Sequence, residues 1–284
     1  MSLYVNYNGK LKSASEALIP YDNRSFRYGD GVFETIRCYR GKALWMEYHL
    51  KRLEKSTALL KLTLPDDFSV DFLAGMISGL LHANNHLAGA RVRLSVFRDA
   101  GGFYRPDNNN AGFLIESMPL THEMYELNKN GLIIGIYNEA FKTANIFSGL
   151  KTSNALLYIS ASMHAQEKQW NDALILNSEG FVAEATSSNI FMVHEGKIYT
   201  PSLDQACVDG VMRSVILKKI TEANYPVDEC SLTTDDLLEA DELFITNTIA
   251  GVQWIKGFQS KRYYHRLSGN LIEMLNTEIP AGSV

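Results

Sequence analysis

The chain is predicted to be an α/β protein of the α+β kind, built as two domains. Three observations predict this. At 284 residues it reaches the length at which one hydrophobic core gives way to two. Alternating strand patterns and amphipathic helical patterns occur in both halves. Met118-Pro119-Leu120-Thr121 follows a strand pattern and reads as a connection. The expected division is a smaller N-terminal domain over residues 1–118, a linker over 119–124 and a larger domain over 125–284.

Composition narrows the class. A hydrophobic fraction of 46% and a charged fraction of 21% are those of an ordinary globular protein. The net charge of −5 provides no basic face for nucleic acid and no polybasic membrane segment. No apolar run has the length of a membrane span. The start, Met1-Ser2-Leu3-Tyr4, lacks the charged and apolar regions of a signal peptide. Cys38, Cys207 and Cys230 are odd in number and lack metal-ligand spacing. A reduced cytoplasmic protein without a metal is therefore expected, acting on a small molecule.

Val5 to Leu11 predicts a hairpin with Asn8-Gly9 as its two-residue turn. In Asn23 to Arg37, Gly29 and Gly31 mark a bend and the alternation after them marks a strand. Glu47 to Leu62 carries apolar residues at Leu50, Leu53, Leu59 and Leu60, which predicts a helix; His49 reads as a packing residue near its start. Phe68 to Leu81 predicts a second helix. Ala90–Arg98 and Ala111–Ser117 predict strands. Arg91, Arg93, Arg98 and Arg105 surround Gly101-Gly102, either as a carboxylate-binding mouth or as a solvated hairpin with a flexible tip.

In the second half, Gly131 to Tyr137 predicts a strand. A helix is expected through Ala155, Leu156, Ile159 and Met163, just after Lys151. Asp172 to Asn177 predicts a buried strand turning at Ser178-Glu179-Gly180. Glu242 to Val252 predicts an apolar strand with a polar end, and Tyr264 to Leu275 a closing helix.

The centre of the chain is the run from Glu184 to Arg213. Glu184-Ala185-Thr186-Ser187-Ser188-Asn189-Ile190-Phe191 is a strand carrying one carboxylate, a turn and a second strand. Val208-Asp209-Gly210-Val211-Met212-Arg213 is a glycine-bearing entry into a helix that continues through Val215, Ile216, Leu217 and Ile220. A helix start presents unbonded N–H groups and positive potential, which suit a phosphate. A carboxylate upstream and an anion cradle downstream suit a cofactor with a cationic ring nitrogen and a phosphate, such as pyridoxal 5′-phosphate (PLP).

This run resembles the signature of the class IV aminotransferases, the fold-type IV PLP enzymes of D-amino-acid aminotransferase-like fold, and the resemblance extends over nearly the whole chain. It implies a PLP site between the two domains. Lys151, 33 residues ahead of Glu184, would be the Schiff-base lysine and Glu184 the partner of the pyridine nitrogen. Arg52, Ser188, Asn189, Gly210, the Val211 and Met212 amides and Thr248 would complete the cofactor site. Tyr28, Phe33, Thr35 and Arg37, with Arg93 and Arg98, would line the substrate side. A homodimer is implied.

Two activities share this apparatus. One is 4-amino-4-deoxychorismate lyase, which releases pyruvate and 4-aminobenzoate, a folate precursor. The other is an aminotransferase acting on D-amino or branched-chain amino acids. Lys151-Thr152-Ser153-Asn154 resembles lyases and D-amino-acid enzymes, and Leu156 stands where branched-chain enzymes carry tyrosine. Leu203-Asp204-Gln205-Ala206 with Gly210 to Arg213, Thr35, and the Arg98, Gly101, Gly102 loop are lyase-like. Thr248 is transaminase-like. A PLP-binding relic without catalysis would be expected to lack Lys151 or Glu184, and both are present.

Overall fold

Asn8 and Gly9 take φ values of 50° and 83° and turn β1 (Tyr4–Tyr7) onto β2 (Lys10–Ser13), as the Asn-Gly pair dictates. The structure is a computed structural model that describes residues 3–16 and 19–279. Met1, Ser2 and the last five residues of the expected second domain lie outside the described residues. The chain divides into two compact units. Unit 1 holds the described residues through Met124 together with Lys151–Asn154. Unit 2 holds Tyr125–Leu150 and the described residues from Ala155 on.

In unit 1 the hairpin joins β3 (Gly31–Tyr39), β4 (Lys42–Ala43), β5 (Gly89–Arg98) and β6 (Ala111–Pro119). The order is β2-β1-β6-β5-β3-β4, and every pairing is antiparallel. Two helices, α2 (Met46–Leu59) and α3 (Val70–Asn84), supply the rest of the core. Ile36, Val92, Leu94 and Ile115 of the sheet cluster with Leu53, Leu73, Ile77, Leu80 and Leu81 of the helices. Each such side chain contributes roughly 1.5–3 kcal/mol of transfer free energy. Ser69 accepts the Phe72 amide and starts α3 two residues later than the apolar spacing suggests.

Patterning missed α1 (Arg24–Tyr28), which precedes these elements. It is too short to show a period. Its ends are defined by Asn23, which accepts the Phe26 amide at 3.0 Å, and by Gly29 at φ 67°.

Unit 2 contains β7 (Leu132–Lys142), α4 (Leu156–Glu167), β8 (Asp172–Asn177), β9 (Val182–Ala185), β10 (Asn189–His194) and β11 (Lys197–Pro201). They are followed by α5 (Val211–Glu222), β12 (Val227–Cys230), α6 (Thr234–Glu239), β13 (Glu242–Asn247), β14 (Gly251–Phe258), β15 (Lys261–Arg262) and α7 (Leu267–Thr277). The strands form one mixed sheet in the order β12-β11-β10-β13-β14-β7-β8-β9, with β15 on β14. Three pairings, β7 with β8, β7 with β14 and β11 with β12, are parallel.

Several expectations are revised. The Glu242–Val252 segment is two strands, because Asn247 Oδ1 accepts the amides of Ile249 and Ala250 and folds a turn there. The closing helix begins at Leu267, since the Glu242 carboxylate accepts the Arg266, Leu267 and Ser268 amides and fixes its start. In α4 the residues that set the helical pattern face outward: Leu156 is 74%, Ile159 53% and Met163 57% exposed. Its inward face is Ala161 and Ala165, clustered with Tyr137 and Ala173. The expected linker begins inside β6, and Lys151–Asn154 returns to unit 1 through backbone bonds to β3. Among the described residues no helix is long and apolar enough to cross a membrane.

Candidate active site

β9 is buried at all four positions, and it brings Glu184 into the interior of unit 2. The carboxylate is met from three directions. Lys142, at the end of β7, pairs with Oε1, and the Tyr158 hydroxyl of α4 donates to the same oxygen at 2.8 Å. The Val208 amide donates to Oε2 at 3.0 Å. Burial, then the nearby Glu184 charge, raises the Tyr158 phenol well above its usual range, so it stays a donor. Cys207 is buried, and burial pushes its thiol up to about 12. It is a packed hydrophobe without thiolate character.

The segment ahead of α5 is organised by side-chain amides. Asn177 donates to Gln205 at 3.0 Å within the turn that follows β11, and Asn189 donates to the Val208 carbonyl at 2.9 Å. Ala206 takes φ 72° between them, a costly conformation for a residue with a Cβ. Gly210 is the N-cap of α5, and no side chain caps that end. Its φ of −71° suits any residue, so glycine is needed for a different reason. A Cβ there would lie 1.9 Å from Asn189 Oδ1. Val211 and Met212, buried in the first turn, present their amides at an end without a side-chain cap. A Gly210→Ala variant is expected to lose about 1–3 kcal/mol in urea unfolding and to bind PLP more weakly, because Asn189 must move. Unchanged unfolding would show that the segment accommodates a Cβ.

Two more expected positions join this end of unit 2. Ser188 is buried and its hydroxyl accepts from Asn247 at 3.0 Å. Thr248 is buried within the Asn247 turn, and its carbonyl accepts from Tyr125 at 3.0 Å. A groove of about 420 Å³ elsewhere in unit 2, lined by Leu217, Thr221 and Val227 among others, shares no residue with this cluster.

In unit 1, Lys151 lies on a segment stitched to β3. The Lys151 carbonyl accepts from Phe33 and the Ser153 amide donates to Gly31, both at 2.9 Å. The Lys151 ammonium stands 4.6 Å from the centre of the Phe33 ring, and the Arg93 guanidinium stands 3.6 Å from it. Thr35 alternates with Phe33 along β3 and pairs with Arg93 in register. Burial lowers the Arg93 pKa from its ordinary value. Tyr28, at the end of α1, is 5.6 Å from Tyr104 between ring centres.

The other face of β3 carries Glu34, buried against α2. His49 Nδ1 is 2.6 Å from its Oε2, and Arg52 Nε is 2.8 Å from its Oε1, with a second Arg52 nitrogen bonded to Oε2. Burial would raise the Glu34 carboxyl. Arg52 and His49 outweigh burial and hold it at about 2. His49 is thus more than a packing residue: it orients an acid.

Arg37 and Arg98 are engaged by the fold. Arg37 donates to the carbonyls of His122, Glu123 and Met124 at 2.6–3.0 Å. Arg98 donates to Asp30, Asn109 and the Leu60 carbonyl. Asp30 also takes Arg24, whose guanidinium reaches the Gly101 and Phe103 carbonyls. Burial opposes ionisation of Asp30, but Arg98 and Arg24 prevail and lower its pKa. Gly101 and Gly102 take φ 113° and 68°, and a Cβ on Gly102 would meet the Arg105 carbonyl at 2.2 Å. The loop is a fixed turn with its glycines required.

Sequence reasoning did not single out Lys142, Tyr158 or Asn247. Lys142 is 42 residues from its partner, and a side chain paired across a sheet leaves no local mark.

The residues of unit 2 fit PLP on their own terms: a buried acid for a ring nitrogen and a helix start without a side-chain cap for a phosphate. The model of the family "Amino-transferase class IV" matches residues 31–258. An aminodeoxychorismate lyase of Vibrio harveyi is 29% identical over 264 residues, 89% of this chain and 95% of that protein. A D-alanine aminotransferase of Bacillus licheniformis is 30% identical over 251 residues, 87% of this chain and 86% of that protein. Among solved structures, the branched-chain aminotransferase of Thermoproteus uzoniensis superposes with a TM-score of 0.87 at 23% identity, covering 96% and 93% of the two chains. The branched-chain amino acid aminotransferase of Escherichia coli superposes with a TM-score of 0.87 at 21% identity, covering 98% and 95%. These likenesses establish the fold, and the family match establishes the rest: the chain belongs to the class IV aminotransferases, enzymes whose cofactor is pyridoxal 5′-phosphate.

Proposed function

We propose that this PLP-dependent enzyme is a 4-amino-4-deoxychorismate lyase, releasing pyruvate and leaving 4-aminobenzoate. The observation that carries the reading is the entry to α5. Leu203-Asp204-Gln205-Ala206 and Gly210-Val211-Met212-Arg213 have the lyase-like form, and Gln205, Ala206, Val211, Met212 and Arg213 are all buried. A lyase covered over 95% of its length supports it.

In this reading the Val211 and Met212 amides, Gly210, Ser188, Asn189 and Thr248 hold the phosphate. Arg52 has five donors in its planar fork and serves Glu34 and the phosphate together. Glu184 accepts from the ring nitrogen. Bound PLP supplies the electron sink. Lys151 holds the cofactor and then moves a proton, taking it from the substrate ring carbon and returning it to the departing enolate. One carbon–oxygen bond breaks, the ring becomes aromatic, and the substrate's atoms divide between the two products with no water added. Phe33, Thr35, Tyr28 and Arg93 face the substrate, with Arg93 taking a carboxylate. Arg37 and Arg98 act from behind, Arg37 by fixing residues 122–124 and Arg98 by fixing Asp30 and Asn109.

The second reading, a D-amino-acid or branched-chain aminotransferase, is favoured by Thr248 and by the D-alanine aminotransferase likeness. Incubation with 4-amino-4-deoxychorismate is expected to yield pyruvate and 4-aminobenzoate in equal amounts. Glutamate formed rapidly from D-alanine or L-leucine with 2-oxoglutarate, without pyruvate release from the first substrate, would overturn the lyase reading.

A homodimer accompanies the proposal. Leu156, Ile159 and Met163 form an exposed apolar stripe on α4, with Ile146 and Phe147 exposed on the preceding segment. A second copy covering that stripe would give twice the chain mass in sedimentation equilibrium.

A further inference from the structure

We propose that Lys142 is a positioning residue for Glu184, holding its carboxylate ionised and fixed in orientation. A carboxylate has about four acceptor positions. On Glu184 this chain uses three: Lys142 and Tyr158 on Oε1, and the Val208 amide on Oε2. The position left is on Oε2, where Glu184 would accept the ring nitrogen of PLP. The orientation comes from three separate elements, β7, α4 and the segment before α5, so no rotation of the carboxylate satisfies all three donors except the one seen.

Charge makes Lys142 the decisive member. Both side chains of the pair are buried, at 10% and 4% exposure. A carboxylate there without a cation would carry the full cost of desolvation. The other groups facing it do not supply the charge. Tyr158 is a neutral phenol, and the Cys207 thiol is neutral, pushed up to about 12 by burial. Asp209, beside Cys207, is of the wrong sign. Arg213, which also acts on Cys207, is paired with Glu229 and with the Pro201 carbonyl. Lys142 reaches the acid because the pairing of β7 with β8 shifts register between Tyr137 and Lys142. Its ammonium is also 5.3 Å from the centre of the Tyr158 ring.

Unfolding of the cofactor-free full chain tests this. In Lys142→Met the buried carboxylate has lost its cation, so the folded state keeps a proton that the unfolded chain releases. Stability then falls as pH rises. The melting temperature is expected to lie about 6–12 °C below wild type near pH 8, with the gap narrowing toward about pH 5. Lys142→Arg restores most of it, and Lys142→Met combined with Glu184→Gln recovers it by removing the stranded charge. If Lys142→Met does not fold, folding of the double variant supports the pairing and failure of both overturns it. A Lys142→Met profile parallel to wild type, or a double variant no better than the single one, also overturns it. PLP titration supplies the second readout: half-saturation of Lys142→Met rises about tenfold, and an unchanged value overturns the orienting role. The cofactor arm rests on the functional reading above. The cofactor-free arm does not, so a wild-type chain that fails to bind PLP sinks that reading alone.

Discussion

Lys151→Ala is expected to abolish the visible absorption of bound PLP and to lower turnover by roughly four to six orders of magnitude. The fold survives the change. What Lys151 gives to unit 1 is backbone: its carbonyl accepts from Phe33, and Ser153 donates to Gly31. Alanine keeps those bonds. The lost contact with the Phe33 ring is worth about 0.5–1 kcal/mol. Activity and stability therefore separate, which a misfolded variant would not do. Borohydride reduction followed by peptide mapping is the sharper check, because two lysines stand near the proposed chemistry. The label is expected on Lys151, and Lys142→Met should retain it. A label on Lys142, or a visible band that persists in Lys151→Ala, would reverse the assignment.

Glu34→Gln is expected to cost about 3–5 kcal/mol at neutral pH, the effect of breaking a buried ion pair from one side. Arg52 is left without its carboxylate, and His49 Nδ1 without a charged acceptor. The sign with pH follows from the carboxyl itself. Its ordinary value is 4.5 and the folded value is about 2. Between the two, the unfolded chain binds a proton that the folded chain refuses. The stability Glu34 supplies is thus complete above about pH 4.5 and lost as pH falls toward about 2. His49 acts in the same direction. Burial keeps it from taking a proton, despite the nearby carboxylate, and the unfolded chain takes one below about pH 6.5. Urea unfolding across an acid series should show wild type weakening while the gap to Glu34→Gln closes. A gap that stays constant from neutral pH to about pH 3 would show that Glu34 is not ionised in the fold.

These two residues were legible to different degrees. Lys151 was singled out by the resemblance to the class IV pattern, whose Schiff-base lysine stands ahead of its glutamate in the same way. Glu34, between Phe33 and Thr35, carries no local mark in the sequence. Its weight comes from α2, which turns His49 and Arg52 toward it across 15 and 18 residues. Lys142 is the stronger case. No local pattern marks it, and it is the cation paired with Glu184.

The amino-acid order alone determined the pieces whose cause is local. The Asn8-Gly9 hairpin, the strand carrying Glu184 and the glycine entry to α5 follow from backbone sterics and periodicity within a few residues of each. Tertiary structure decided which groups meet and which faces are buried. It buried Ala161 and Ala165 of α4 and left the larger Leu156, Ile159 and Met163 outside, because the fit against Tyr137 and Ala173 selects small side chains. It decided that Gly210 is needed for the Asn189 amide and not for its own φ. Periodicity reports how a segment could be buried, whereas charge pairing and close approach depend on distances that only the folded chain sets.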